Sequence, residues 1–279
     1  MCYYNGQKVT REEFIRLKHL EKLVANYDFL NQPVQIGFDY NLNAILKRYP
    51  DKEDFDIVQM EWGFIPTGCK TVADVHKWRN GYYDSNNRFI APVPTLNAQG
   101  EKLLYPGSMY EDAARYRRCL VLSTGFFESR HFYRKNKRTG QPVKTPDTYP
   151  YYITLKDREY FYMAGIWQPW IDQLTGEYRE TFAIVTTNAV GHKLMEQVHN
   201  SKKRMPVILN EDLAYEWLFD NLEDRRLLQI AKTQYPSAGM QACTVAKNYK
   251  NALEPTKEHM YADLPALELT VNTGNLFSS

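Results

Sequence analysis

Apolar, strand-forming segments follow one another through the middle of this chain with no helix-length pattern between them. Arg118-Cys119-Leu120-Val121-Leu122 leads directly into Gly125-Phe126-Phe127-Glu128, and strands are expected again over 151–155, 160–167 and 181–187. A doubly wound parallel sheet needs a helical crossover between its strands, so this succession argues against one. The expectation is a single α+β domain with mostly antiparallel β-sheets. Upstream, Phe55–Trp62 alternates as a strand and ends in Gly63-Phe64-Ile65-Pro66, where proline halts ladder pairing.

The remaining segments are expected to cover these strands. Residues 10–26 read as a helix, with Thr10 as cap, Glu13 three residues on, and Phe14, Leu17, Leu20 and Val24 as its apolar stripe. Residues 67–96 are polar and read as a long irregular surface excursion, and long excursions in a compact domain are often functional. Residues 134–149, rich in Lys, Pro and Thr, read as a hairpin loop. A short helix is expected within 188–198, and amphipathic helices over Glu211–Phe219, capped by Asn210, and over 222–232. From Pro255 the pattern weakens towards a final Gly-Asn-Leu-Phe-Ser-Ser, expected to wrap over the surface or hang loose. The domain is therefore placed at 2–254, with an extension at 255–279.

Hydrophobic residues make up 43% of the 279, enough for a sizeable core, and no region has the composition of disorder. Tyr occurs 21 times, which favours strands and surfaces on which planar groups stack. No run of about 18 apolar residues exists to span a membrane. The amino-terminal stretch lacks the basic start and apolar run of a secretory signal, so the expected compartment is the cytoplasm. A net charge of +2 does not predict a nucleic-acid partner, and any footprint must come from local clusters of Lys and Arg. The four cysteines, Cys2, Cys69, Cys119 and Cys243, contain no C-x-x-C pair, and neither a zinc site nor disulfides are expected. Cys119 and Cys243 read as ordinary buried residues.

Cys2 differs by its position. Removal of Met1 would leave one residue carrying two nucleophiles on adjacent carbons, an α-amine of pKa about 7.7–8.0 and a thiol near 8.5. A 1,2-aminothiol captures an aldehyde in two steps. The amine forms a Schiff base, and the thiol closes a five-membered thiazolidine on the same carbon, an intramolecular step of high effective molarity.

Five blocks occur in order along the chain. They are Met1-Cys2, then Trp62-Gly63-Phe64-Ile65-Pro66, then Leu96-Asn97-Ala98-Gln99-Gly100-Glu101, then Arg118 to Val121 with Gly125 to Glu128, then His199 with Arg204-Met205-Pro206-Val207-Ile208-Leu209. Together they resemble the SOS-response-associated peptidase (SRAP) family, over Cys2 to about Lys247. The resemblance implies a barrel-like sheet fold flanked by helices. It also implies a protein that bonds through its N-terminal cysteine to abasic sites in single-stranded DNA, shielding the lesion during the DNA-damage response.

The resemblance further implies roles for particular residues. Cys2 supplies amine and thiol, and Asn97 hydrogen-bonds the substrate and the N-terminal residue. Glu128 moves protons during Schiff-base formation, and His199 acts as acid or base on the sugar oxygen released by ring opening. Alone, Asn97 is equally a turn residue after Pro94, Glu128 a strand carboxylate facing water, and His199 an exposed histidine. His19, His76, His131, His192 and His259 lack such context and read as structural. Three departures bear on DNA contacts. Gln99 stands where the family has Arg, Ser129 where it has Trp, and the His199–Arg204 interval is longer than usual and carries Lys202 and Lys203.

A groove that binds DNA without reading bases needs cations and planar platforms. The candidates are Lys77, Trp78, Arg79 and Arg88 in the excursion, Lys202, Lys203 and Arg204 after His199, and Tyr3 and Tyr4 beside the nucleophile. Each of the charged residues is otherwise a solvated loop charge. No metal or cofactor is expected. The expected partner is single-stranded DNA bearing abasic sites, without membrane contact, bound by a monomer that associates with the nucleoid. Autopeptidase and abasic-site lyase activities are open to the same groups. Two rival readings remain, a cysteine peptidase using Cys2 and His199 with Glu128 or Asn97 orienting the imidazole, and a non-catalytic DNA-binding module.

Overall fold

The computed structural model describes residues 2–269; the final residues of the expected extension lie outside the described residues. Strand β1 (Tyr4–Lys8) follows the N-terminal cysteine at once. The helix expected over 10–26 is instead a hairpin of β2 (Phe14–Leu17) and β3 (Leu20–Leu23), followed by one 3₁₀ turn, Val24–Asn26. The pattern that decides is the shorter one, because Ile15 and Leu17 are both fully buried, two apart, across exposed Arg16. Distant side chains also take amides along this segment, among them those of Arg16 and Lys18, which a helix would have bonded internally. The Glu159 carboxylate accepts the N–H groups of Thr10, Arg11 and Glu12, Tyr160 Oη that of Arg16, and Glu211 that of Lys18. Thr10 caps no helix. These acceptors are 144 to 193 residues away, beyond the reach of a local reading.

After β4 (Asn31–Ile36) come β5 (Leu42–Arg48) and β6 (Phe55–Trp62), the latter as expected. The excursion is more ordered than expected. It holds α1 (Val72–Asn80), begun by a reciprocal capping box between Thr71 and Asp74, and a small hairpin of β7 (Tyr82–Tyr83) and β8 (Phe89–Ile90). Val75, Ile65, Cys69 and Trp170 form a satellite core against which Trp78 packs. Then follow β9 (Asn97–Gln99), α2 (Glu111–Tyr116), β10 (Arg118–Ser123), β11 (Gly125–Phe132), β12 (Asp147–Leu155), β13 (Phe161–Ile171) and β14 (Tyr178–Asn188). The chain continues through α3 (Met195–Val198), β15 (Arg204–Pro206), β16 (Ile208–Leu209), α4 (Glu211–Phe219), α5 (Asp224–Ala231) and β17 (Met240–Thr244). Asn210 caps α4, its side chain accepting the N–H of Leu213.

The order β14-β6-β5-β10-β13 closes on itself because β13 also pairs with β14, giving a five-stranded barrel within the larger sheet. All its pairings are antiparallel except β14 with β6; β9 adds to β14, also in parallel. A second sheet runs β17-β12-β11-β1-β4. The two faces of the barrel strands serve two cores. Leu120, Leu122, Ala164 and Ile166 pack with Trp217 and Leu218 of α4 and with Leu227 and Ile230 of α5. Cys119, Val121, Met163 and Ile184 pack with Phe126, Tyr151 and Ile153 of the second sheet, and with Cys2. Each fully buried Leu, Ile or Phe contributes about 1.5–3 kcal/mol, so each strand is held from both sides. Residues after 255 return over the second sheet. The His259 amide bonds Thr244 O, Tyr261 Oη donates to Val245 O, and Leu264 and Leu267 pack on the second core. Cys243 is half-buried, less enclosed than expected. Among the described residues, no helix is long and apolar enough to cross a membrane.

Candidate active site

Four separate segments bring Cys2, Asn97, Glu128 and His199 of the five blocks together. Cys2 is fully buried immediately before β1, in the second core. Its thiol lies 3.9 Å from Tyr4 O, and its carbonyl accepts a 2.8 Å hydrogen bond from Asn97 Nδ2. Asn97 sits where β9 runs parallel to β14, opposite Ile184. Its Oδ1 is buried and has no hydrogen-bond partner among the described residues. A buried amide oxygen left without a donor costs about 1–3 kcal/mol, a cost that a bound O–H or N–H would remove.

Glu128 comes from β11. That strand starts at Gly125, whose φ of 157° and missing Cβ let the Tyr152 ring approach; a Cβ there would lie 2.3 Å from it. Tyr152 Oη then fixes the turn by donating to Thr124 O. Phe126 and Phe127 point to different cores, and Glu128 returns to the side of Phe126. His199 follows α3, and its Nε2 lies 3.9 Å from Glu128 Oε2. Its Nδ1 is tied to the Arg204 backbone, 2.9 Å from the N–H and 2.7 Å from the carbonyl. One nitrogen is thus anchored and the other faces the carboxylate.

Burial dominates the electrostatics. It pushes the Glu128 carboxyl up to about 7 and lowers the His199 imidazole to about 4. Burial, and then the charge of Glu128, push the Cys2 thiol well above its ordinary range. At neutral pH the site therefore holds a neutral imidazole, a neutral thiol and a carboxyl near half-protonation. These protonation states equip Glu128 and His199 for proton transfer and leave the thiol un-ionised.

Tyr3, Tyr4, Phe127, Glu128, Ser129, His131, His199, Ser201 and Lys202 line one cavity of about 240 Å³. The structure thus brings Tyr3, Tyr4 and Lys202 to Glu128 and His199. Lys203 and Arg204 line a neighbouring cavity with Gln99 and Asn188. Arg204 is engaged there: its guanidinium lies 2.9 Å from Glu101 Oε2 and 2.6 Å from Thr186 O. Burial raises the Glu101 pKa, but the hydrogen bonds from Arg204 and from backbone N–H groups together outweigh it and hold that carboxyl below its ordinary value. Lys203 pairs with Glu196 at 2.6 Å. Trp78, Arg79 and Arg88 line neither cavity. Trp78 packs in the satellite core, and Arg79 is held by Glu61, by Gly63 O and by the Tyr40 ring. Arg88 is exposed beside Asp84.

His131, read from sequence as structural, lines the cavity, and the sequence reading also missed two further contributors. Glu101 closes the Asn97 block and was given no role, although an acidic residue within a matched block was the available signal. Tyr249, in a 3₁₀ turn after β17, stacks flat on Phe127 with ring centroids 4.5 Å apart, and no spacing in the sequence pointed to it.

The chain is similar to known proteins over this whole arrangement. The profile of the SOS response associated peptidase (SRAP) family matches residues 1–252. The chain belongs to that family. It is 29% identical over 188 residues to the abasic site processing protein YobE of Bacillus subtilis, covering 67% of this chain and 70% of that one. It is 28% identical over 226 residues to the abasic site processing protein YoaM of the same organism, covering 79% and 83%. In structure it is similar to a protein from Bacteroides thetaiotaomicron, with TM-score 0.67 at 24% identity, over 93% of this chain and 100% of that chain. A phage-related protein from Bordetella bronchiseptica aligns with TM-score 0.57 at 20% identity over 88% and 95%. These two likenesses show the fold, a mixed α+β domain built mostly of sheet.

Proposed function

We propose that this SRAP protein processes abasic sites by forming a covalent thiazolidine with single-stranded DNA through Cys2. The observation that carries the reading is Cys2 at the head of β1, its carbonyl held by Asn97, next to a cavity lined by Glu128 and His199. With Met1 removed, the Cys2 amine adds to the aldehyde carbon of the ring-opened abasic sugar. The carbinolamine then loses water to give the imine. The thiol adds to the imine carbon while its proton passes to the imine nitrogen, so one water is released per crosslink. Glu128, poised near 7, donates and recovers the protons of these steps, and neutral His199 serves the sugar oxygen freed on ring opening. Closing the ring consumes the imine, the species from which lyase cleavage of the strand would proceed. Tyr3 and Tyr4 offer stacking faces, and Lys202 supplies positive charge at the edge.

The peptidase alternative requires a Cys2 thiolate coupled to His199. It is disfavoured because burial and Glu128 hold the thiol neutral, and because the imidazole presents Nε2 to Glu128 and Nδ1 to the Arg204 backbone.

The test is intact-mass measurement of Met1-processed protein mixed with an abasic single-stranded oligonucleotide. The adduct mass should equal the sum of the two less one water and persist through heating. Cys2→Ala keeps an amine and should give only a labile adduct trapped by borohydride; a heat-stable Cys2→Ala adduct would exclude the thiazolidine. Continuous duplex should crosslink more slowly, because a paired strand competes for the stacking faces. Equal rates at moderate salt would remove the single-strand preference.

A further inference from the structure

We infer that Lys250, held over Tyr4 by the turn that follows β17, is a phosphate contact of the bound strand. This rests on the function proposed above and adds a residue to it. The Lys250 ammonium donates to Tyr4 Oη at 2.5 Å and lies 4.2 Å from the centroid of that ring. Tyr4 lines the cavity that contains Glu128 and His199. The preceding residue, Tyr249, is buried, stacked flat on Phe127 and set edge-on to Tyr4 at 5.9 Å. The turn is thereby clamped to the strand that carries Glu128, and Lys250 is placed at the rim of the site rather than left to wander.

The partners of other lysines separate a structural latch from a ligand contact. Seven lysines sit over aromatic rings: Lys18, Lys22, Lys47, Lys52, Lys77, Lys247 and Lys250. Four of them also pair with a carboxylate: Lys18 with Asp212, Lys22 and Lys52 with Asp54, and Lys47 with Glu180. Among the described residues Lys77, Lys247 and Lys250 have no such partner. Of these three, only Lys250 has an aromatic partner that lines the site cavity.

Lys202 lines the same cavity from the loop after His199, and it too lacks a carboxylate among the described residues. Two uncompensated ammonium groups, from elements 48 residues apart, thus approach one site (250 − 202). A phosphodiester supplies the anionic oxygens that both lack, and a cation already oriented by its neighbours loses less freedom on binding.

Affinity for an undamaged single-stranded oligonucleotide, measured against salt concentration, tests the assignment without requiring any crosslink. Each phosphate neutralised on a single strand contributes about 0.7 to the slope of log K against log salt. Lys250→Gln should lower the slope by about that amount, Lys250→Arg should restore it, and Lys52→Gln, whose lysine is matched to Asp54, should leave it unchanged. If Lys250 is only a latch, Lys250→Gln will lower the melting temperature with the slope intact, and the assignment is overturned. An equal loss of slope in Lys52→Gln would reduce the effect to net charge and also overturn it. Wild-type protein that fails to bind single-stranded DNA would overturn the proposed function and this contact together. An unaltered slope in Lys250→Gln, against a salt-sensitive wild type, removes only the contact.

Discussion

Lys77-Trp78-Arg79 on α1 and Lys202-Lys203-Arg204 after His199 are similar clusters in sequence, two basic tripeptides in polar surroundings. Their fates differ because of what lies across from them. Arg79 meets Glu61 of β6 and the Tyr40 ring, and its side chain is only 11% exposed. Trp78 is drawn beneath it into a small core with Trp170. In the second cluster Arg204 and Lys203 are met by Glu101 and Glu196, but Lys202 projects into the cavity of Glu128 and His199. A basic side chain is thus available to a ligand only where no carboxylate of the folded chain has already met it.

The largest expected effect sharpens the role of the second region. His199→Ala should slow crosslinking about 10²–10⁴-fold, the usual contribution of an acid–base group, measured as single-turnover rate at saturating DNA. Binding of intact single-stranded DNA should change little. Loss of binding with a normal rate at saturation would move His199 from the chemistry to the groove.

The first region should respond oppositely. Arg79→Ala leaves Glu61 largely buried without one of its two arginines, Arg179 remaining at 3.3 Å. Removing one partner of a buried pair costs about 3–5 kcal/mol, and the remaining Arg179 places the expectation at the low end of that range. Denaturant unfolding should show that loss, while the salt dependence of DNA binding stays as in wild type. A reduced salt slope with unchanged stability would break the contrast between the two clusters.

Glu128 provides a comparable effect with a pH signature. Its carboxyl rises from 4.5 to about 7 in the fold, so the folded state binds the extra proton between those values. The stabilisation from the protonated form is complete below about 4.5 and is lost as pH rises through 7. The shift corresponds to about 3 kcal/mol at 1.36 kcal/mol per unit. Glu128→Gln should therefore be more stable than wild type at pH 8 and nearly equal to it at pH 4.5, while crosslinking far more slowly. Equal stability at pH 8 would mean that burial does not load this carboxylate. The smallest effect belongs to Lys202→Gln, a loss of about 0.7 in salt slope with an unchanged single-turnover rate at saturation.

The strands over 55–62, 118–122 and 181–187 were legible because local alternation and apolar runs match burial from both sides. The segment 10–26 was not. Its 3–4 spaced apolar residues permit a helix, and the side-chain acceptors that favour the extended form, Glu159 and Tyr160 just before β13 and Glu211 of α4, come from distant parts of the chain. In α1 the cue is local, since Thr71 and Asp74 stand three apart at its start.

The sequence by itself determined a mostly antiparallel sheet domain, whereas Cys2, Asn97, Glu128 and His199 were nominated only by the family resemblance of the blocks that hold them. Tertiary structure alone decided their states and their surroundings. Packing of β11 against α3 and the loop after it buries Glu128 and His199, shifting their protonation in opposite directions, and that desolvation depends on elements far apart in the chain. The same holds for Arg79 and Lys202. Whether a cation is compensated or available depends on carboxylates that only the folded chain brings within 4 Å, a distance over which charge pairs far outweigh anything readable from spacing.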